Sequence, residues 1–309
     1  MKIVFVIVDR EDRHDKDLFI HVHSELANRE DVTFITKTLT DRPCFYQKES
    51  HPKVLDYDYI NTFDVCITDA IFAYLSEDWN KIVIPKVVLI EDQHSVCMEH
   101  VKLCEEKFKF DYYLVRYRDA FYKNHPDISK DRIFWFPHSI NPDIYKDYKE
   151  PKKYNCLMVG AINEAYPIRQ KIDKIMTGKD IYTRHSLPHS AKQYPVGNDY
   201  ATLINRSWIS ITCSATVNYP IMKFFEIPGC NSVLCSDITP EISELGFIPE
   251  HNMIAVPANL DNIYEYLQLR LMDKKNLAFI SNNGYNLIHN NHTVKHRVDQ
   301  LVGYLRMIL

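Results

Sequence analysis

The sequence predicts an α/β protein of two parallel-sheet domains facing a cleft. Its length of 309 residues suits about two domains at roughly 150 residues each. Short apolar runs alternate with helical stretches along the chain, as in a parallel sheet covered on both faces. A polar stretch with two prolines, Pro137-His138-Ser139-Ile140-Asn141-Pro142-Asp143, breaks the alternation once, near the middle.

In the first half, strands are predicted at 3–8, 32–36, 64–68, 86–90, 111–115 and 132–136, with helices at 16–28, 95–108 and 117–124. The apolar run Ile3–Val8 meets the charges of Asp9–Arg13 directly and reads as a buried strand rather than a signal peptide. After the proline stretch and the charged run 146–153, the alternation restarts. Strands are predicted at 154–159, 178–182, 208–212, 232–235 and 253–256. Helices are predicted at 199–206, 219–227, 259–272, 274–289 and 292–308. The division is therefore an N-terminal domain over 1–137, a linker over 138–153, and a C-terminal domain over 154–290. Residues 291–309 form a terminal helix that crosses back towards the first domain. In open α/β sheets, ligands bind at the carboxyl ends of the strands, which directs the chemistry to the cleft.

Composition excludes several classes. Residues 1–150 hold 21 Lys+Arg against 28 Asp+Glu, a balance of 21 − 28 = −7; residues 151–309 hold 16 against 13, or 16 − 13 = +3. The second half is the better host for an anion, and neither half has the basic excess of a nucleic-acid surface. No apolar run approaches the roughly 20 residues that span a bilayer. The eight cysteines form no C-x-x-C pair, so a reducing, cytoplasmic setting fits and no disulfide framework is expected. With seven glycines in all and no G-x-G-x-x-G or P-loop pattern, a dinucleotide dehydrogenase or P-loop NTPase is excluded. There is no G-x-S-x-G elbow either.

The most informative segment is Asn218-Tyr219-Pro220-Ile221-Met222-Lys223-Phe224-Phe225-Glu226-Ile227-Pro228-Gly229. Pro220 suits the first turn of a helix, whose free N–H groups and dipole would attract phosphate. Lys223 reaches the same anion, and Glu226, three residues on, shares its face and can accept hydrogen bonds from a ribose diol. A solvated surface ion pair accounts for the same spacing. In the first half, Asp92 and His94 follow the buried strand 86–90 and stand at its cleft-facing end. They are candidates for contact with substrate or for general acid–base work, while Asp92 or Ser95 also suits the cap of the next helix. Asp9, Arg10, Asp12, Arg13 and His14 follow the first strand in the same way. Tyr182, placed just after the strand at 178–182, is a candidate for stacking on a base. His292 and His296 are four apart on one helix face but lack a third metal ligand in sequence.

The segment Lys223-Phe224-Phe225-Glu226, with Gly229 and the following run into Ser236-Asp237, resembles the donor-binding motif of the spore-maturation CgeB-like glycosyltransferases. These are a GT-B group related to the group-1 transferases. Lys223 stands where that motif carries Arg, and Glu226 matches the second glutamate of the group-1 E-x7-E motif, whose first position falls on Asn218. Leu157-Met158-Val159-Gly160 followed by Arg169 resembles the first strand, turn and diphosphate-side arginine of the same domain. The stretch 200–212 is similar to the helix and strand before the donor helix, and Asn291–Arg297 to the start of the family's terminal helix. The resemblance covers roughly residues 132–309.

The resemblance implies two Rossmann-like domains in GT-B architecture. It implies transfer of a sugar from a nucleotide-diphosphate sugar, with UDP favoured, to an acceptor hydroxyl. Retention of configuration is expected, with no cofactor and no catalytic metal. Gly160, Arg169, Asn218, Tyr219, Lys223 and Glu226 would bind the donor, and Asp92 and His94 would serve catalysis. The acceptor stays open between a glycan, a lipid-linked sugar, a protein and a nucleobase. A GT-B nucleotide-sugar epimerase and a non-catalytic nucleotide-sugar-binding protein are the alternatives, the latter because Asn218 is not acidic.

Overall fold

The computed structural model describes residues 1–8, 18–37, 55–69, 77–93, 95–185, 195–216 and 218–309. Asp9, Arg10, Asp12, Arg13, His14 and His94 lie outside the described residues. The chain divides into two compact units, one of Met1–Pro137 with Lys295–Leu309 and one of His138–Val294.

The first unit contains β1 (Ile3–Val8), α1 (Leu18–Ala27), β2 (Val32–Lys37), α2 (Tyr57–Ile60), β3 (Val65–Asp69) and β4 (Lys86–Ile90). These are followed by α3 (Ser95–Leu103), β5 (Tyr112–Val115), α4 (Arg118–Asn124) and β6 (Ile133–Trp135). The strands form one parallel sheet in the order β2-β1-β3-β4-β5-β6. Val4, Val87, Val88 and Tyr113 are fully buried, the burial on both faces that continuous apolar strands require. The helix expected over 95–108 is α3 for its first nine residues and a wide turn, Cys104–Phe108, for the rest; Lys109 then closes it at φ +52°. The terminal helix packs on this sheet. Gln300 Nε2 and the Tyr304 hydroxyl donate to Trp135 O at 3.2 and 2.9 Å, and Tyr304 stacks on Phe134 with ring centroids 4.6 Å apart.

The second unit runs β7 (Tyr154–Val159), α5 (Pro167–Met176), β8 (Tyr182–His185), α6 (Gly197–Asn205), β9 (Ser207–Ile211), α7 (Lys223–Gly229) and β10 (Val233–Ser236). It continues with α8 (Pro240–Glu244), β11 (Ile254–Ala255), α9 (Ile263–Met272) and α10 (Lys274–Asn291), before α11 (Val294–Ile308), the terminal helix described above. Its parallel sheet has the order β11-β10-β9-β7-β8. β7 therefore lies between β8 and β9, where the chain's order along the sheet reverses. Ligands in such folds sit outside the carboxyl ends of strands at this switch point.

Two local expectations are corrected. The strand expected at 178–182 begins at Tyr182, because Gly178 at φ +83° and the bonds Lys179 N→Met176 O and Tyr182 N→Lys179 O fold the preceding residues into turns. The helix expected at 219–227 begins at Lys223. Asn218 at φ +62° and the bond Ile221 N→Tyr219 O hold the chain in a turn, so Pro220 precedes the helix instead of opening it.

Candidate functional site

β7 ends at Val159, and Gly160 follows at φ +104°, a conformation that side chains other than glycine rarely adopt. A Cβ at this position would lie 2.8 Å from Lys223 Cε, 3.4 Å from its Nζ and 3.7 Å from Arg169 Nη1. The missing side chain is thus what lets two cationic groups approach the carboxyl end of the strand.

Arg169 comes from the first turn of α5, a helix with Pro167 at its start. It is 1% exposed. Its Nη1 donates to Ala161 O at 3.0 Å and its Nη2 to Thr212 Oγ1 at 2.8 Å, and the guanidinium lies 4.0 Å from the ring centre of Tyr166. Its Nε is buried with no hydrogen-bond partner among the described residues. Ala161 follows β7 and Thr212 follows β9, so the guanidinium is pinned at the switch point with one donor in hand.

Lys223 is the first residue of α7. Its Nζ donates to the Tyr200 hydroxyl and lies 3.8 Å from Glu226 Oε2. Burial holds the amine below its ordinary range, Glu226 opposes that shift, and Arg169 adds to it. Glu226 is 6% exposed. Its Oε1 accepts from the Tyr145 hydroxyl and its Oε2 from the Tyr200 hydroxyl, both at 3.0 Å. The Lys223–Glu226 pair, a half-buried lysine and a buried carboxylate, is therefore embedded in a polar network, not a solvated ion pair on the surface.

The backbone ahead of α7 contributes less than expected. The N–H groups of Ile221, Phe224, Phe225 and Glu226 already donate to Tyr219 O, Ile221 O and Met222 O. Four backbone donors are thus spent within the chain, and the Lys223 and Arg169 side chains bring the positive charge for an anion. Asn218 lies in the left-handed region at φ +62°, where Asn is several-fold enriched. Its identity thus has a backbone reason, independent of the acid found there in the group-1 motif. Tyr219 is buried. The loop after β9 is tied down where Asp237 accepts from Ser214 N at 2.8 Å and from the Ser214 hydroxyl.

Six of the eight nominated residues, Gly160, Arg169, Asn218, Tyr219, Lys223 and Glu226, fall in the second unit, and Gly160, Arg169, Lys223 and Glu226 form one connected group. Asp92 belongs to the first unit, just beyond β4, partly buried, with its carbonyl accepting from Gln93 Nε2 at 3.1 Å. Tyr182, the candidate for stacking on a base, is partly buried. It lies within β8, packs against the core of its unit and donates its hydroxyl to Asp173 Oδ1 at 2.7 Å. His292 is buried against Phe225, with its Nε2 2.9 Å from Leu245 O. Among the described residues no group of three His, Cys, Asp or Glu side chains could hold a metal, and no helix is long and apolar enough to cross a membrane. Tyr145, Tyr200 and Thr212 join the site only through the fold. Tyr145 lies 81 residues from Glu226 in sequence, in a stretch that reads as linker, and no local pattern marks it.

Residues 167–303 match a family model described as glycosyl transferase-like, Glyco_trans_1_2. No curated protein sequence matches the chain. Among solved structures, it is similar to Anabaena Alr3699/HepE in complex with UDP, at 11% identity and a TM-score of 0.69, with 99% of this chain and 100% of that one covered. HepE is also represented in complex with UDP-glucose, at 10% identity and a TM-score of 0.68, covering 98% and 99% of the two chains. A glycosyltransferase from Rickettsia africae is similar at 10% identity and a TM-score of 0.61, over 99% and 98% of the two chains. An α-glucosyltransferase in complex with UDP and a 13-mer DNA is similar at 11% identity and a TM-score of 0.62, over 99% and 100%. This chain has the GT-B glycosyltransferase fold, and the part of it that carries α5, α7 and the Lys223–Glu226 pair matches the glycosyl transferase-like family.

Proposed function

We propose that this chain transfers a sugar, a hexose or a pentose, from a UDP-sugar to an acceptor hydroxyl, with retention of configuration and without a catalytic metal. The observation that carries the reading is the approach of Lys223 and Arg169 to the glycine turn after β7. A buried arginine and a half-buried lysine at a strand's carboxyl end, beside a position that excludes any side chain, suit a diphosphate. Glu226, on the same helix face as Lys223, suits the ribose diol. The UDP and UDP-glucose complexes of HepE support a uridine nucleotide as donor.

In the reaction, the bond between the sugar's anomeric carbon and the β-phosphate oxygen breaks, and UDP leaves with the electron pair. The acceptor oxygen bonds to the same carbon and gives up its proton. Negative charge grows on the diphosphate as the bond breaks. Fixed cations aimed at that charge stabilise the transition state more than the ground state. Lys223, Arg169 with its unpartnered Nε, and Gly160 serve the diphosphate, while Asn218 and Tyr219 shape the loop beside it. Asp92 and His94 are assigned to the acceptor side, as groups able to orient or deprotonate the hydroxyl.

A thermal-stabilisation screen of nucleotide sugars tests the donor, because a ligand that binds only the folded form raises its stability. UDP-sugars are expected to stabilise the protein more than GDP- or ADP-sugars. By calorimetry, Lys223→Ala and Glu226→Ala should each weaken UDP binding by about 1.5–3 kcal/mol, roughly tenfold to a hundredfold. Wild-type affinity in both variants removes this assignment. The anomeric configuration of the product, read by NMR, tests retention.

A further inference from the structure

We propose that the Tyr200 hydroxyl is a positioning group that holds the Lys223 ammonium apart from the Glu226 carboxylate and so keeps both open to ligand. This rests on the donor-site reading above. Lys223 and Glu226 share one face of α7, the lysine half-buried and the carboxylate buried. An ammonium and a carboxylate so placed are drawn into direct contact at about 2.7–2.9 Å, yet their nearest atoms stand 3.8 Å apart. The Tyr200 hydroxyl lies between them, accepting from Lys223 Nζ and donating to Glu226 Oε2 at 3.0 Å. Tyr145 donates to the other oxygen, Oε1, also at 3.0 Å. With both oxygens engaged, the carboxylate is not free to rotate towards the ammonium.

The arrangement draws on three separate parts of the second unit. Tyr200 comes from α6, Tyr145 from the stretch before β7, and Lys223 and Glu226 from α7. The two tyrosine rings pack edge to face, 6.4 Å between centroids, and are 7% and 6% exposed for Tyr145 and Tyr200. A phenylalanine would fill the same space, so packing alone does not call for a hydroxyl at either position. What the Tyr200 oxygen adds is a bridge. A lysine ammonium has three donors, and the hydroxyl takes one of them in a fixed direction, leaving the others for phosphate oxygens. The carboxylate, held by two neutral donors rather than by the cation, keeps acceptor capacity for a ribose diol. Tyr200 therefore serves both halves of the nucleotide, whereas Tyr145 touches only the ribose side.

That difference makes the inference testable with UDP and uridine, the latter measured by competition against UDP. Tyr145→Phe is expected to weaken UDP and uridine by the same factor. Tyr200→Phe is expected to weaken UDP about tenfold more than uridine, because it also releases the ammonium that faces the phosphates. Lys223→Met is the reference and should weaken UDP selectively. Unfolding of each variant without nucleotide verifies that it is folded. If Tyr200→Phe weakens both ligands equally while Lys223→Met remains selective for UDP, Tyr200 only packs and the proposal is overturned with the donor site intact. If Lys223→Met shows no selectivity, or wild type binds no UDP, the donor-site reading falls and the proposal falls with it.

Discussion

Each unit places a pair of cations, buried or half-buried, near the carboxyl end of its sheet. In the first unit Arg116 follows β5 and Arg297 comes from α11. Arg116 is 1% exposed and donates to Phe136 O and Pro137 O, each at 3.2 Å, and Arg297 Nε donates to Pro137 O at 2.9 Å. Burial, then the nearby Arg116, lowers Arg297 to about 9. In the second unit the pair is Arg169 and Lys223, and Lys223 is likewise lowered by burial and by its arginine neighbour. Burial and like-charge crowding are thus common to both. The surroundings differ. Arg116 and Arg297 share the Pro137 carbonyl where the chain leaves the sheet. Arg169 and Lys223 flank a glycine that leaves them room, and a carboxylate held by tyrosines stands beside them. A perturbed cation marks a candidate site; what sets the second pair apart is the glycine turn beside it and the carboxylate on the same helix face.

Replacing one arginine from each pair should break the likeness most strongly. Arg116→Met and Arg169→Met each strip buried acceptors of their donor and should cost on the order of 2–4 kcal/mol in urea unfolding. UDP affinity, measured by calorimetry, should fall at least tenfold in Arg169→Met and stay near wild type in Arg116→Met. Equal losses of affinity in the two variants would erase the distinction drawn here.

A smaller effect separates two glycines of the second unit. Gly160 and Gly178 both have positive φ, +104° and +83°, but a Cβ at Gly178 meets nothing within 4 Å. Gly178→Ala should cost about 1–2 kcal/mol from backbone strain and leave UDP binding unchanged. Gly160→Ala should carry the same strain and also displace Lys223, lowering UDP affinity several-fold.

The units also differ in pH dependence, through groups that titrate in separate ranges. His23, edge-on to Phe5 in the first unit, is lowered from 6.5 to about 3 by burial and then by Arg116. The unfolded chain therefore binds the extra proton between those values, and stability falls as pH drops from 6.5 towards 3. In the second unit Lys152 donates to Asn205 O and Asn231 O, both at 2.7 Å, and burial lowers it from 10.5 to about 8. Its linkage has the same sign, so it adds stability as pH climbs from 8 to 10.5. His23→Leu should flatten the acid limb of a stability–pH curve relative to wild type, and Lys152→Met the alkaline limb. A swap of those two outcomes would refute the assignment.

The strands most legible in sequence were those with unbroken apolar runs between charges or turns. β1, β4 and β7 span the residues expected from the sequence, 3–8, 86–90 and 154–159. Such runs have to be buried on both faces, and that requirement can be read locally. Less legible were the element starts set by a backbone turn. Lys223 opens its helix, and Tyr182 its strand, because the turns before them are fixed by a left-handed Asn218 and a left-handed Gly178. Side-chain chemistry suggests such conformations without requiring them.

The amino-acid order was enough to specify the α/β alternation, the excess positive charge of the second half, and the local patterns that single out Gly160, Arg169, Lys223 and Glu226. All of these depend on neighbours within a few turns of chain. It could not say whether Lys223 and Glu226 lie in solvent or in the interior, since three-residue spacing is the same in both. Folding resolved that by bringing Tyr145 from 81 residues away and Tyr200 from 26 residues away onto one carboxylate. Contacts at that separation arise from how sheet and helices pack, and no local propensity encodes them.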